Sequence, residues 1–171
     1  MKPLLKKEIK KLFKEYKQNI DFVLIAENIQ YARNVAELFR IADALKVKKI
    51  FLTGISHKPP FGNDLLKVSR SKEKHVQWEY TDKSFNTIDK LRAEGYVITA
   101  LEITDEALEV SDFIKNCKSR KIVIVIGNEV YGVTKELLKH CDNSVYLPMY
   151  GKGSSLNVSV SLGILLYILS L

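Results

Sequence analysis

Cysteine is scarce in this chain: Cys117 and Cys141 are the only two among 171 residues. Two cysteines cannot build a disulfide framework, so reduced thiols in packing positions are expected. Histidine is nearly as sparse. His57, His75 and His140 lie far apart and lack the spacing of metal ligands, so no metal site is expected. Long hydrophobic runs are missing too. The longest apolar stretch, Leu162 to Leu169, falls well short of the roughly 20 residues a membrane span needs. The first residues, Met1-Lys-Pro-Leu-Leu-Lys-Lys-Glu8, run straight into charge without the apolar core of a secretory signal. The expectation is a cytoplasmic protein, neither exported nor membrane-spanning.

What is present is an ordinary globular balance, 46% hydrophobic and 27% charged residues in 19.5 kDa. A chain of this length can bury a core without disulfides or structural metal. The formal charge of +7 is unevenly spread. Residues 1–17 hold seven lysines against Glu8 and Glu15, a local +5 that leaves +2 for everything else. Leu4, Leu5, Ile9, Leu12, Phe13 and Tyr16 recur there at helical spacing. Residues 1–19 therefore read as a basic amphipathic helix, with one stripe for packing and a lysine face suited to a polyanion. An anionic membrane surface would attract the same face.

From residue 20 onward the pattern alternates between strand and helix. Phe22–Ala26, Val47–Thr53, Val76–Tyr80, Tyr96–Ile103, Lys121–Ile126 and Ser144–Leu147 read as strands. Lys121–Ile126 is β-branched and uninterrupted, the mark of a strand buried on both faces. Helical spacing covers Ala32–Leu45, Asp64–Arg70, Ser84–Glu94 (Ser84 as N-cap, Gly95 as stop), Ser111–Asn116, a segment from Thr134, and Leu156–Leu169. This alternation predicts an α/β domain over 20–171, with a mainly parallel sheet and helices on both faces. The last helix has almost no polar side, which predicts cover by a second copy of the chain.

Ligands of such sheets bind beyond the carboxyl ends of the strands. Polar clusters fall there at Gly127-Asn-Glu-Val-Tyr-Gly132 and Pro148-Met-Tyr-Gly-Lys-Gly-Ser-Ser-Leu-Asn157. A third runs from Asn34 to Arg40 on the first core helix. Common nucleotide signatures fail. Val133-Thr134, not Lys-Ser/Thr, follows the Gly127–Gly132 pair, and no G-x-G-x-x-G follows a strand. Ser155 lacks the G-x-S-x-G elbow of a hydrolase.

Three motifs in order resemble those of the SpoU/TrmH family, the 2′-O-ribose RNA methyltransferases of the SPOUT class. They are Asn34-x5-Arg40-Ile-Ala-Asp-Ala44, Ile124-Val-Ile-Gly-Asn-Glu-Val-Tyr-Gly132, and Leu147-Pro-Met-Tyr-Gly151 with Ser155-Leu-Asn-Val-Ser-Val160. The resemblance spans about residues 22–170, and its third motif is the most specific. It implies a C-terminal deep trefoil knot, against the general rarity of knots, and a homodimer. It implies S-adenosylmethionine as cofactor, held by Gly127, Leu147 and Leu156, with Leu101 and Met149 completing the pocket. Arg40 matches the family's catalytic arginine; Asn34, Glu129, Ser155 and Asn157 match its other polar positions. RNA is the implied substrate, tRNA ahead of rRNA.

Some positions depart from the family pattern. Ala36, Lys46 and Val130 stand where glycines are frequent, Gly153 where a bulkier apolar residue is usual, and Lys67–Lys72 lacks the usual Gly-Ala pair. These bear on the substrate-facing surface and leave the matched polar residues intact. The competing reading is a SPOUT-fold RNA-binding or assembly factor without transfer activity, which would not bind S-adenosylmethionine.

Overall fold

The computed structural model describes residues 2–82 and 84–171. Seven strands form one sheet: β1 Asp21–Glu27, β2 Lys49–Thr53, β3 Trp78–Tyr80, β4 Val97–Leu101, β5 Leu108–Glu109, β6 Lys121–Ile126 and β7 Asn143–Tyr146. Seven α-helices accompany them: α1 Lys6–Phe13, α2 Ala32–Ala44, α3 Asn63–Ser69, α4 Ser84–Ala93, α5 Val110–Asn116, α6 Lys135–Leu138 and α7 Val158–Leu169. The strand order is β3-β2-β1-β6-β4-β7-β5, and every pairing is parallel. β6 is inserted between β1 and β4, and β7 between β4 and β5. That order is consistent with a threaded C-terminus.

The uninterrupted apolar strands follow from burial on both faces. Along β1, Phe22, Leu24 and Ala26 join one core, while Val23 and Ile25 join the other. β6 divides the same way, with Ile122, Ile124 and Ile126 opposite Val123 and Val125. Successive side chains of a strand point to opposite faces, so a doubly covered strand needs apolar residues at every position. α2, α5 and α7 cover the first face; α4 and α6 cover the second.

Several boundaries differ from the sequence reading. α7 starts at Val158 rather than Leu156, because the Asn157 side chain accepts the Ser159 N–H and caps the helix. Ser84 is the first residue of α4 rather than its cap. Gly95 ends α4 as read, at φ +87°. The two-residue β5 has no signal of its own in the sequence. α1 is shorter than its apolar pattern, and its stripe stays uncovered among the described residues: Leu4, Leu5, Ile9, Leu12, Phe13 and Tyr16 are all exposed, and Phe13 and Tyr16 meet only each other edge to face. The chain rejoins the domain just after it, where the Gln18 amide donates to Ser170 Oγ at 2.7 Å. α7 carries the expected bare face, with Val160, Ile164 and Tyr167 exposed. Among the described residues, no helix is long and apolar enough to cross a membrane.

Candidate active site

Three strands end at one cavity. β4 finishes at Leu101, β6 just before Gly127 and β7 just before Leu147, and segment 148–158 closes over them. The space, partly open to solvent, measures about 250 Å³. Leu101, Gly127, Leu147, Met149 and Leu156 all line it, so the five positions expected to hold a cofactor converge. Glu129 and Ser155 line it as well.

The loop after β6 is built on close backbone approach. A Cβ on Gly127 would lie 2.2 Å from the carbonyl carbon and oxygen of Gly132 and from the Val133 nitrogen. Only glycine permits that approach. Asn128 and Gly132 exchange two backbone hydrogen bonds of 2.9 Å, and Gly132 sits at φ +69°. Carboxylates pin the far end of the loop. Glu102 accepts the Val133 N–H at 2.9 Å, and Glu27 accepts the amide and hydroxyl of Thr134 at 2.9 and 2.8 Å.

A polar relay connects this loop to α2 and α7. The Glu129 carboxylate accepts the N–H groups of Gln30 and Tyr31 at 2.8 and 3.2 Å and the Asn34 amide at 2.6 Å. Because a carboxylate only accepts, Asn34 must turn its NH₂ toward Glu129 and its carbonyl away. That carbonyl accepts the Asn157 amide at 3.0 Å, which turns the Asn157 carbonyl toward Ser159. The Ser159 hydroxyl lies 2.5 Å from Glu37 Oε2 and 2.7 Å from Asn157 Oδ1, so one proton faces two acceptors. Asn34, Glu129 and Asn157 thus form one unit, although they are far apart in the chain.

Arg40 stands apart from the cavity. It is exposed on α2 and lines a separate groove of about 560 Å³ with Arg33, Glu37, Lys67, Ser159 and Val160. Among the described residues it makes no hydrogen bond or ion pair. The first turn of α7 is the wall between the two spaces. Val158 and Ser161 face the cavity, while Ser159 and Val160 face the groove. Ser155 lines the cavity with its hydroxyl unengaged by any described residue.

Glu37, Glu102 and Ser159 were not picked out from the sequence. Ser159 carries a faint signal, since Asn-x-Ser before an apolar run can serve as a cap. Glu102 lies one residue past the end of β4, where ligand-facing groups gather. Glu37 precedes Arg40 by three positions and so shares its helix face.

The model of the SpoU rRNA Methylase family matches residues 21–167. The chain belongs to that family. A tRNA (guanosine(18)-2′-O)-methyltransferase from Aquifex aeolicus is 29% identical over 168 residues, 96% of this chain and 76% of the relative. A 23S rRNA (guanosine(2553)-2′-O)-methyltransferase from Bacillus subtilis is 30% identical over 147 residues, 85% of this chain but 56% of the relative. Among solved structures, the A. aeolicus TrmH/SpoU tRNA modifying enzyme superposes with a TM-score of 0.76 at 26% identity, over 96% of this chain and 82% of that one. An AdoMet-bound rRNA methyltransferase from Sinorhizobium meliloti gives 0.75 at 21% identity, over 90% and 57%, a likeness of fold. The α/β SpoU architecture expected from the three motifs therefore stands.

Proposed function

We propose that this SpoU-family chain transfers a methyl group from S-adenosylmethionine to a ribose 2′-hydroxyl of RNA, and that the RNA is tRNA. The convergence of Leu101, Gly127, Leu147, Met149 and Leu156 on one cavity at the strand ends carries this reading. The character of the cavity fits the cofactor. Apolar residues such as Leu101, Leu147, Met149 and Leu156 share its walls with Asn128, Tyr146, Ser154, Ser155 and Ser161. Among the described residues, Glu102 and Glu129 are its charged lining, with no Lys or Arg. Such a site repels phosphates and suits a nucleoside carrying positive charge. Its volume lies just below the range of about 300–1,000 Å³ usual for small-ligand pockets, so part of the cofactor would reach out through its open side.

When bound, S-adenosylmethionine supplies a methyl group on a sulfonium, already activated for in-line transfer. The protein's part is alignment and charge stabilisation. Gly127 lets the loop lie close under the ligand, and Leu147 and Leu156 offer apolar contact. Ser155 supplies a hydroxyl to its polar end. Arg40, unpaired and exposed, grips the phosphate beside the target ribose and stabilises negative charge developing on its 2′-oxygen. A guanidinium stays protonated in proteins, so it serves as a clamp rather than a base. The Glu129–Asn34–Asn157 relay holds α2 and α7 in register, and so fixes where Arg40 stands in its groove.

The bare face of α7 supports a homodimer, with Arg40 of one protomer completing the other's site. The lysines of residues 1–19 form an appendage that contacts RNA phosphates, ahead of a catalytic domain over 20–171. The enzyme works in the cytoplasm with its RNA. The choice of tRNA is supported by the A. aeolicus relative, whose match covers 96% of this chain and 76% of that protein.

The test is Arg40→Ala. Transfer should fall by at least about 100-fold while S-adenosylmethionine affinity stays within about twofold. Retained transfer would refute the role of Arg40. Absence of cofactor binding by the unaltered protein would favour the inactive RNA-binding factor.

A further inference from the structure

We infer that Glu102 makes the cavity selective for the cationic methyl donor over its neutral product, S-adenosylhomocysteine. This rests on the cofactor reading above and concerns the pocket carboxylate that accepts the fewer hydrogen bonds, two against the three of Glu129.

Three carboxylates surround the loop after β6, and they differ in how their charge is met. Glu129 accepts three hydrogen bonds, two from backbone N–H groups just ahead of α2 and one from Asn34. It therefore lies at the positive end of a 13-residue helix. Glu27 is buried and takes both donors of Thr134. Glu102 accepts one N–H on each oxygen, Ile103 at 3.0 Å and Val133 at 2.9 Å. The Val133 N–H precedes only the four-residue α6, a far shorter helix than α2, and among the described residues no cation pairs with Glu102. Each oxygen keeps a lone pair, and the residue lines the cavity.

The fold also holds this carboxylate in place. A Cβ on Gly132 would lie 2.2 Å from Glu102 Oε2, so the side chain is pressed against the backbone of that loop. It cannot swing out to solvent without leaving the Val133 N–H unpaired. The charge is thus a fixed part of the wall.

Donor and product differ at one centre, a positively charged sulfonium against a neutral thioether. A fixed negative charge distinguishes them electrostatically, and shape does not. Across a cavity of this width, partly screened by solvent, one carboxylate is worth about 5- to 10-fold in affinity for a unit positive charge. Lining the pocket with carboxylate rather than guanidinium also weakens the hold on product once the charge has left, which favours release.

The experiment is calorimetry of the unaltered protein and of Glu102→Gln with S-adenosylmethionine and with S-adenosylhomocysteine. Gln keeps a carbonyl acceptor for the Val133 N–H and removes the charge. Donor affinity should fall about 5- to 10-fold while product affinity stays within about twofold. A parallel loss for both ligands would mean that Glu102 only shapes the loop, and would overturn the inference; so would no change in either. Should the variant fold poorly, the salt dependence of the unaltered protein decides. Its preference for donor should narrow as ionic strength rises, and a preference unmoved by salt would overturn the inference. If the unaltered protein binds neither ligand, the cofactor reading itself falls.

Discussion

Gly127→Ala is the sharpest single perturbation of the site. The added Cβ would sit 2.2 Å from three backbone atoms of Gly132 and Val133, and ordinary contact begins at 3.4 Å. The two sides of the loop must therefore part by about 1.2 Å, the difference between those distances. The paired Asn128–Gly132 hydrogen bonds, 2.9 Å each, cannot survive that displacement. Losing two backbone hydrogen bonds and loosening the Val133–Glu102 contact costs about 2–3 kcal/mol. In a domain of this size that lowers the melting temperature by roughly 5–10 °C. The same loop is a wall of the cavity, so donor affinity should fall at least about tenfold. Thermal unfolding followed by circular dichroism, paired with calorimetric titration of S-adenosylmethionine, reads both effects. A variant that melts within about 1 °C of the parent and binds the donor equally well would refute the close-approach reasoning.

Other perturbations separate the parts of the site. Replacing Lys6, Lys7, Lys10 and Lys11 with Gln should flatten the salt dependence of RNA affinity by about 3 in logarithmic slope, with donor affinity unchanged. An unaltered slope would remove the lysine face from RNA contact. Ile164→Glu with Tyr167→Glu should give monomers in sedimentation that bind donor but do not transfer methyl. Dimers that persist would place the interface elsewhere. Burial, and then the negative charge of Asp142, pushes the Cys141 thiol up to about 12 from 9.0. Folding favours its neutral form, so this contribution to stability holds below about pH 9 and is lost as pH rises toward 12. Iodoacetamide at pH 8.5 should label the half-buried Cys141 of the folded protein far more slowly than that of the unfolded chain; equal rates would contradict the raised pKa.

The sheet was legible because burial on both faces leaves an uninterrupted apolar pattern, most clearly in Lys121–Ile126. The cavity was legible because its glycines and apolar residues cluster at strand ends in the second and third motifs. What stayed hidden depends on tertiary placement. β5 is two residues long and exists only through its pairing with β7. Glu37 reads as a solvent-facing helix residue until α7 brings Ser159 to its carboxylate. Glu102 reads as a loop residue until Gly132 and Val133 fold against it. The α1 stripe shows the opposite failure. Its periodicity promised packing, yet no described residue covers it, because amphipathic spacing specifies a face and not the partner that meets it.

The most direct test is transfer itself. Purified protein is incubated with isotope-labelled S-adenosylmethionine and separate pools of tRNA and rRNA, and the RNA is digested to nucleosides for mass spectrometry. The predicted result is label on a 2′-O-methylated nucleoside from tRNA. Label on a base, or none on either RNA while the donor is demonstrably bound, would contradict the account.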